Sequence, residues 1–263
     1  MMNKIYKYLI FASLLILPLG CSNEDLTDLN INPTQANEVD WRFMLTTGQV
    51  EAAENRYSNG RVHLNLCAGL IQQMATHQIG GERGSGDKYM YHLDSFNALW
   101  DRYPTLVLKS LAEVLRQTGP EGTSPNSINL HHVAQVMYAH PIHLLTDMHV
   151  NIHYNELNRG IEGIFFHTYD DQEFIYKDLL SKLQTAANTI GTGTEDIGSA
   201  DVIYGGDVDK WKKFANSLML RLAMRISNVD QATAQQYVQS AIAGGVFESN
   251  DYMAWIQMAE GPT

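Results

Sequence analysis

The chain has 263 residues, two cysteines and a formal net charge of −11. This acidic balance disfavours nucleic-acid binding, because such affinity comes largely from Lys and Arg on phosphates. It also disfavours a polybasic attachment to anionic lipid, which leaves a neutral ligand as the best match to the charge. The length allows one large domain or two small ones.

Residues 1–20 are predicted to form a cleaved lipoprotein signal peptide. Lys4 and Lys7 precede an apolar run over 9–17, which is shorter than the roughly 20 residues needed to cross a bilayer. Gly20-Cys21 follows in lipobox position, so Cys21 is the predicted lipid attachment site. An ordinary secretory signal with a nearby cysteine is the alternative. Removal of the two lysines with the signal leaves the mature chain at −13.

Residues 21–38 are predicted to be an acidic, turn-rich tether. Glu24 and Asp25 resemble an export signal of bacterial surface lipoproteins, and a solvated acidic linker is the alternative. Lipoproteins carry more than one acyl chain, and each buried methylene contributes about 0.8 kcal/mol to membrane binding. We therefore expect a protein anchored to a membrane without crossing it.

The remaining chain, 39–263, has apolar residues at three- and four-residue steps, which predicts an all-α domain. Strand signals are scarce. Pro141 is expected to kink or break the fourth helix. Helices joined by polar loops predict stacked helical hairpins of tetratricopeptide-like type, with few or no strands. The predicted helices cover about 41–57, 61–77, 99–117, 128–146, 172–188, 209–227 and 232–243.

Several side chains are predicted to belong to the core or to helix caps. Trp211, Phe214 and Leu218 are spaced to form one buried ridge of the sixth helix. Asp207 or Asp209 can cap the N-terminus of that helix. Cys67 lies in an apolar helical stretch and has no partner once Cys21 is lipidated, so a small core residue is favoured over a reactive thiol or a disulfide.

Four segments of the chain carry recognisable motifs, at 28–33, 99–103, 144–156 and 204–225. The fourth contains Trp-x-x-Phe-Ala-Asn-Ser-Leu followed by Arg-Leu-Ala-x-Arg. Together the four segments resemble the SusD/RagB family of outer-membrane nutrient-binding lipoproteins and its SusD-like subfamily. In the third segment Asp147, Tyr154 and Glu156 match the family turn, whereas the residues at 148, 149 and 153 depart from it.

The resemblance implies a cell-surface protein that binds oligosaccharides or other small nutrients, without a cofactor and without covalent chemistry. It also implies delivery of the nutrient to a SusC-like TonB-dependent transporter in the outer membrane. The resemblance covers roughly the first half of a typical family member. The chain is therefore expected to be an N-terminal fragment whose helical domain, 39–263, is incomplete at its C-terminus.

A candidate glycan-binding patch lies before and within the third predicted helix. Sugars need aromatic faces for their apolar ring surfaces, and amides or carboxylates for their hydroxyls. The candidate carbohydrate-binding residues are Tyr89, Tyr91, Asn97, Trp100 and Asp101. Core packing of these aromatic residues is the alternative.

Six histidines fall between His131 and His153, and His140 and His143 have a spacing compatible with metal binding. No acidic residue completes a recognised metal motif, so surface histidines are favoured and no metal site is predicted. The Asp170-Asp171 pair could serve a glycoside hydrolase, but it precedes a helix and fits a cap better. A surface lipoprotein glycoside hydrolase is the alternative function, and an adhesion or scaffolding protein is a third.

Overall fold

The computed structural model describes residues 40–53, 60–75, 86–90 and 93–257, with the side chain of Asn65 excepted. Outside them lie the signal peptide, the tether, Cys21 and Tyr91, which stay predictions. None of the described helices combines the length and apolar character needed to span a bilayer.

Seven helices occupy most of the described residues. They are α1 (Trp41–Ala53), α2 (a π-helix Gly60–Cys67 that continues as Ala68–Leu70), α3 (Leu93–Arg102, a π-helical Tyr103–Leu108, and Lys109–Thr118), α4 (Ile128–His149), α5 (Gln172–Thr189), α6 (Val208–Arg225) and α7 (Gln231–Gly244). Within this part of the chain the β pairing is one isolated antiparallel bridge, Ile152 to Asp170. The all-α prediction is confirmed.

The helices pack mainly on their neighbours in sequence. From α3 onward each helix contacts the next. Helix α1 lies against the last two segments of α3, Tyr103–Leu108 and Lys109–Thr118, and α2 lies against its first segment, Leu93–Arg102. This is the arrangement expected when short connections join amphipathic helices into hairpins that stack on one another. The predicted stacked helical hairpins are confirmed.

Helix α4 supplies much of the core. Val133, Ala134, Ile142 and Leu145 are fully buried, and burial of a large aliphatic side chain stabilises a fold by about 1.5–3 kcal/mol. The helix passes Pro141 without a break. Since residues on both sides of Pro141 are packed into the core, tertiary contacts compensate for the backbone hydrogen bond that proline cannot donate.

The α2 region departs most from the sequence prediction. The helix ends at Leu70, and Ile71 is already in a turn. Among the apolar residues of the predicted range 61–77, Leu66 is buried, whereas Leu64 and Met74 are more than half exposed. Helical periodicity indicates an apolar face but does not specify how much of that face a neighbour covers.

Cys67, at the end of the π-helical part of α2, is a half-buried free thiol. Burial raises its pKa, as expected for a cysteine that packs as a small apolar residue. The expectation of a core residue is therefore met in part, because the side chain packs against the core from its edge.

A buried carboxylate joins α1 to α6. Asp201 is 2% exposed and accepts hydrogen bonds from Gln49 Nε2 at 2.8 Å and Trp211 Nε1 at 2.6 Å. Three backbone N–H groups, of Ile203, Tyr204 and Gly206, complete its shell. A buried charge is costly unless it is hydrogen-bonded, and these five donors meet that need. The predicted burial of Trp211 is confirmed.

Helix α4 also buries an imidazole. His143 is fully buried, neither ring nitrogen has a hydrogen-bond partner, and its ring centroid lies 5.3 Å from that of His140. The expectation of surface histidines is wrong for His143. His143 is buried because it lies on the face of α4 that points into the core. The residues around it in the sequence are both polar and apolar, so they do not indicate which face of the helix is buried.

Candidate functional site

The first half of α3 presents Asn97, Trp100 and Asp101 side by side. Residues three and four apart share a helix face, so their spacing brings the three together. Asn97 and Asp101 are exposed, and Trp100 is half-buried against the core. In the described part of the chain the Asn97 amide and the Asp101 carboxylate make no side-chain hydrogen bond. Both are therefore available to a ligand.

Of the two tyrosines predicted for this patch, the structure describes Tyr89. Tyr89 is 68% exposed and its hydroxyl accepts a hydrogen bond from Gln72 Nε2 at 3.4 Å. Its φ of 57° lies in the left-handed region that bulky residues seldom adopt, so it marks a turn before α3. Tyr91 lies outside the described residues. That Tyr89 and Tyr91 take part in glycan binding stays a prediction.

Histidines that the sequence did not assign to the site surround Trp100. The Trp100 ring lies 5.7 Å from the ring of His149 and 6.0 Å from that of His153. Phe96 lies 4.9 Å from His149 on the other side. His149 ends α4, and His153 belongs to the loop that follows it.

The loop from 150 to 171 brings one more aromatic ring to this region. Tyr169 lies 4.1 Å from His153 between ring centroids, with the two planes 35° apart, and is 69% exposed. We call the whole region the Trp100 surface. It consists of Phe96, Asn97, Trp100, Asp101, His149, His153 and Tyr169.

Carboxylates fix the base of this loop. Asp170 accepts hydrogen bonds from the backbone of Tyr154 at 3.1 Å and of Asn155 at 2.8 Å. Glu156 accepts one from the backbone of Thr168 at 2.6 Å, and this hydrogen bond lowers the pKa of Glu156. The acidic side chains thus hold the two arms of the loop together.

The Asp170-Asp171 pair was expected to cap α5 or, alternatively, to serve hydrolysis. Asp171 occupies the N-cap position, but its side chain makes no capping hydrogen bond and accepts one from Asn151 Nδ2 at 3.0 Å. Asp171 therefore holds the expected cap position without a capping hydrogen bond, since both carboxylates are engaged within the loop. Asp207 does cap α6, accepting from the backbone of Asp209 and Lys210 at 3.1 Å.

The hydrogen bond of His153 defines which ring nitrogen is the donor and which is the acceptor. Its Nδ1 lies 3.0 Å from the carbonyl oxygen of Thr168. Because a carbonyl only accepts, Nδ1 carries the proton of the neutral ring, and Nε2 is the acceptor. The Trp100 surface therefore combines aromatic rings with an imidazole nitrogen, a carboxylate and an amide that can bind hydroxyl groups.

A concavity of about 550 Å³ lies away from the Trp100 surface, where α4, α5 and α6 meet. Asp147 accepts hydrogen bonds from the Tyr176 hydroxyl and, at 2.8 Å, from Arg225. Burial and Asp147 raise the pKa of Tyr176 to about 12. Lys177 is paired with Glu173 at 2.6 Å. Since these charges pair with one another, the groove is best explained as a junction between helices, and it gives Asp147 and Arg225 of the quoted motifs a structural role.

Among the described residues no group of three or more His, Cys, Asp and Glu side chains is placed to hold a metal ion. The six histidines instead occupy several environments. His131 contacts the Thr118 hydroxyl at 2.9 Å, His143 is buried, and His149 and His153 contact Trp100.

The stacked helical hairpins define the class of protein, and the Trp100 surface gives it an aromatic face open to solvent. A family model of SusD-like proteins, described as "Starch-binding associating with outer membrane", matches residues 33–262. The chain belongs to this SusD-like family. It has no significant match among curated proteins.

Solved structures agree with this assignment. A chitin-binding protein superposes with a TM-score of 0.73 at 29% identity, covering 82% of this chain and 45% of that one. A chitin-binding SusD homologue from Flavobacterium johnsoniae gives a TM-score of 0.67 at 22% identity, covering 82% and 45%. A SusD/RagB family protein from Bacteroides thetaiotaomicron gives 0.63 at 22% identity, with the same coverage. The last two show the fold alone. The chain spans less than half the length of these relatives.

Proposed function

We propose that this protein is a lipid-anchored, cell-surface glycan-binding protein that delivers oligosaccharides to a SusC-like TonB-dependent transporter of the outer membrane, and that it does not hydrolyse them. The observation that carries the proposal is the Trp100 surface in a chain of a family described as starch-binding and associated with the outer membrane. The chitin-binding protein that is 29% identical supports a polysaccharide-derived ligand.

The chemistry of the Trp100 surface suits a neutral sugar. A half-buried indole offers a flat apolar face, and the exposed Asn97 and Asp101 on the same helix offer polar groups for hydroxyls. The binding-only part of the proposal is supported by the Asp170 and Asp171 carboxylates, because hydrogen bonds within the loop already occupy them.

Replacing Trp100 with alanine is expected to weaken glycan binding by about tenfold or more, equivalent to about 1.4 kcal/mol, since the stacking face is lost. The measurement is calorimetry of the mature chain against soluble starch and chitin oligosaccharides, with reducing-sugar release followed in parallel. Trp255→Ala, which removes an exposed tryptophan outside the Trp100 surface, is the control and should leave affinity unchanged.

Because Trp100 also packs on the core, the exposed Asn97→Ala and Asp101→Ala variants serve as a second test that leaves folding intact. We expect each to weaken binding by a few-fold, because each removes one hydroxyl partner. Unchanged affinity in all three variants would place the glycan elsewhere, and release of reducing sugar by the wild type would contradict the binding-only function.

Lipid anchoring is proposed through Cys21. Cys21→Ala is expected to move the protein from the membrane fraction to the soluble fraction, because acyl chains then no longer hold it at the bilayer. Fractionation and labelling with radioactive palmitate measure this, and Cys67→Ala is the control that should stay membrane-bound. A Cys21→Ala variant that still labels and sediments with membranes would refute the assignment.

The transporter partnership is proposed from the family. A gene for a SusC-like barrel adjacent to the gene for this protein, and co-purification of the two products from outer membranes, are the expected observations.

A further inference from the structure

The positions of His153 and Tyr169 follow from the register of the bridge beside them. Ile152 and Asp170 exchange backbone hydrogen bonds of 3.3 and 2.9 Å. The next opposed pair in an antiparallel register is therefore His153 and Tyr169. Side chains alternate in direction along a strand, so these two point away from the core that buries Ile152. They are cross-strand neighbours, which explains the 4.1 Å between their rings.

This ring pair is held in place before any ligand arrives. On one side the bridge closes the loop, and on the other the Glu156 carboxylate binds the backbone of Thr168. The hydrogen bond from His153 to the Thr168 carbonyl fixes the imidazole itself. A ligand that stacks here binds a loop that is already ordered. Binding therefore avoids the conformational entropy cost of ordering the loop, which would otherwise offset weak contacts.

The pair also extends the area that Trp100 offers. His153 contacts both Trp100 and Tyr169, so the three rings form one continuous group with Tyr169 at its exposed end. A single sugar ring stacked on Trp100 covers only part of this group, and the next unit of a chain can reach Tyr169. The His153 Nε2 acceptor lies within the same ring group and can bind a hydroxyl of either unit.

We propose that His153 and Tyr169 form a second sugar-stacking position beside Trp100, so that the surface binds chains of sugar units in preference to single sugars, with Tyr169 as a determinant of that preference. This inference rests on the proposed glycan-binding function and adds to it the number of units that the surface recognises.

The test uses two probe series, N-acetylglucosamine oligomers and α-1,4-linked glucose oligomers, each from the monomer to the hexamer. Affinity of the wild-type protein should rise with length in at least one series. Tyr169→Ala should lower affinity for the longer oligomers by about three- to tenfold, the range expected for one aromatic stacking contact, and leave the monomer unaffected. Tyr169→Phe should restore affinity, because stacking requires the ring and not the hydroxyl.

Phe166→Ala is the matched control, since Phe166 is 96% exposed on the same loop and has no ring contact with His153. Should Tyr169→Ala match Phe166→Ala at every length while Trp100→Ala loses binding, the second stacking position is refuted and the proposed function stands. Should the wild type bind neither series, or Trp100→Ala have no effect, the proposed function fails and this inference fails with it.

Discussion

Trp211→Ala is expected to lower the free energy of unfolding by about 3–5 kcal/mol. Trp211 is fully buried, and its ring lies 5.1 Å from that of Tyr204 and 5.5 Å from that of Phe214. Truncation would leave a cavity, and it would also remove the Nε1–H that Asp201 accepts at 2.6 Å. The measurement is urea denaturation of wild type and variant at neutral pH.

Two further variants separate these contributions. Trp211→Phe keeps most of the ring volume and removes the donor, so it should cost about 1–3 kcal/mol, because the buried Asp201 loses one of its partners. Trp255→Ala, at a residue 59% exposed, should change stability by no more than about 0.5 kcal/mol. An unchanged melting temperature for Trp211→Ala would contradict its place in the core and make it a candidate ligand platform.

Acidification is expected to destabilise the fold between about pH 6.5 and pH 4. Burial, and then the charge of Arg221, lower the pKa of His143 to about 4. The imidazole of His143 binds a proton near pH 6.5 in the unfolded chain and stays neutral in the folded chain. Its contribution therefore lowers stability as pH falls through this window and levels off below it. His143 alone should cost about 2 kcal/mol at pH 5.

The effect of His143 is measured as the slope of unfolding free energy against pH. His143→Leu should flatten that slope by about one proton between pH 6.5 and pH 4, whatever it does to stability at neutral pH. His140, whose pKa burial lowers to about 3, should add to the wild-type slope in the same direction. A wild-type stability that is flat from pH 7 to pH 5 would contradict a neutral, buried His143.

The sequence indicated only part of the candidate site. Asn97, Trp100 and Asp101 were selected by residue type, with a helix predicted to begin at about 99. They share one helix face because α3 begins earlier, at Leu93. His153 and Tyr169 are 16 positions apart in the numbering and belong to the loop that connects α4 to α5. Their pairing depends on the bridge between Ile152 and Asp170, which no local pattern in the sequence indicates.

The amino-acid sequence by itself determined the helical class, most helix positions and the burial of Trp211, because these depend on periodicity and on local spacing. Only the tertiary structure decided that His143 is inside the core, that Leu64 and Met74 are exposed, and that α4 continues through Pro141. These outcomes depend on which neighbour covers each helix face. Burial of a helix face is a non-local property, because its free energy comes from contacts between segments that are distant in the chain.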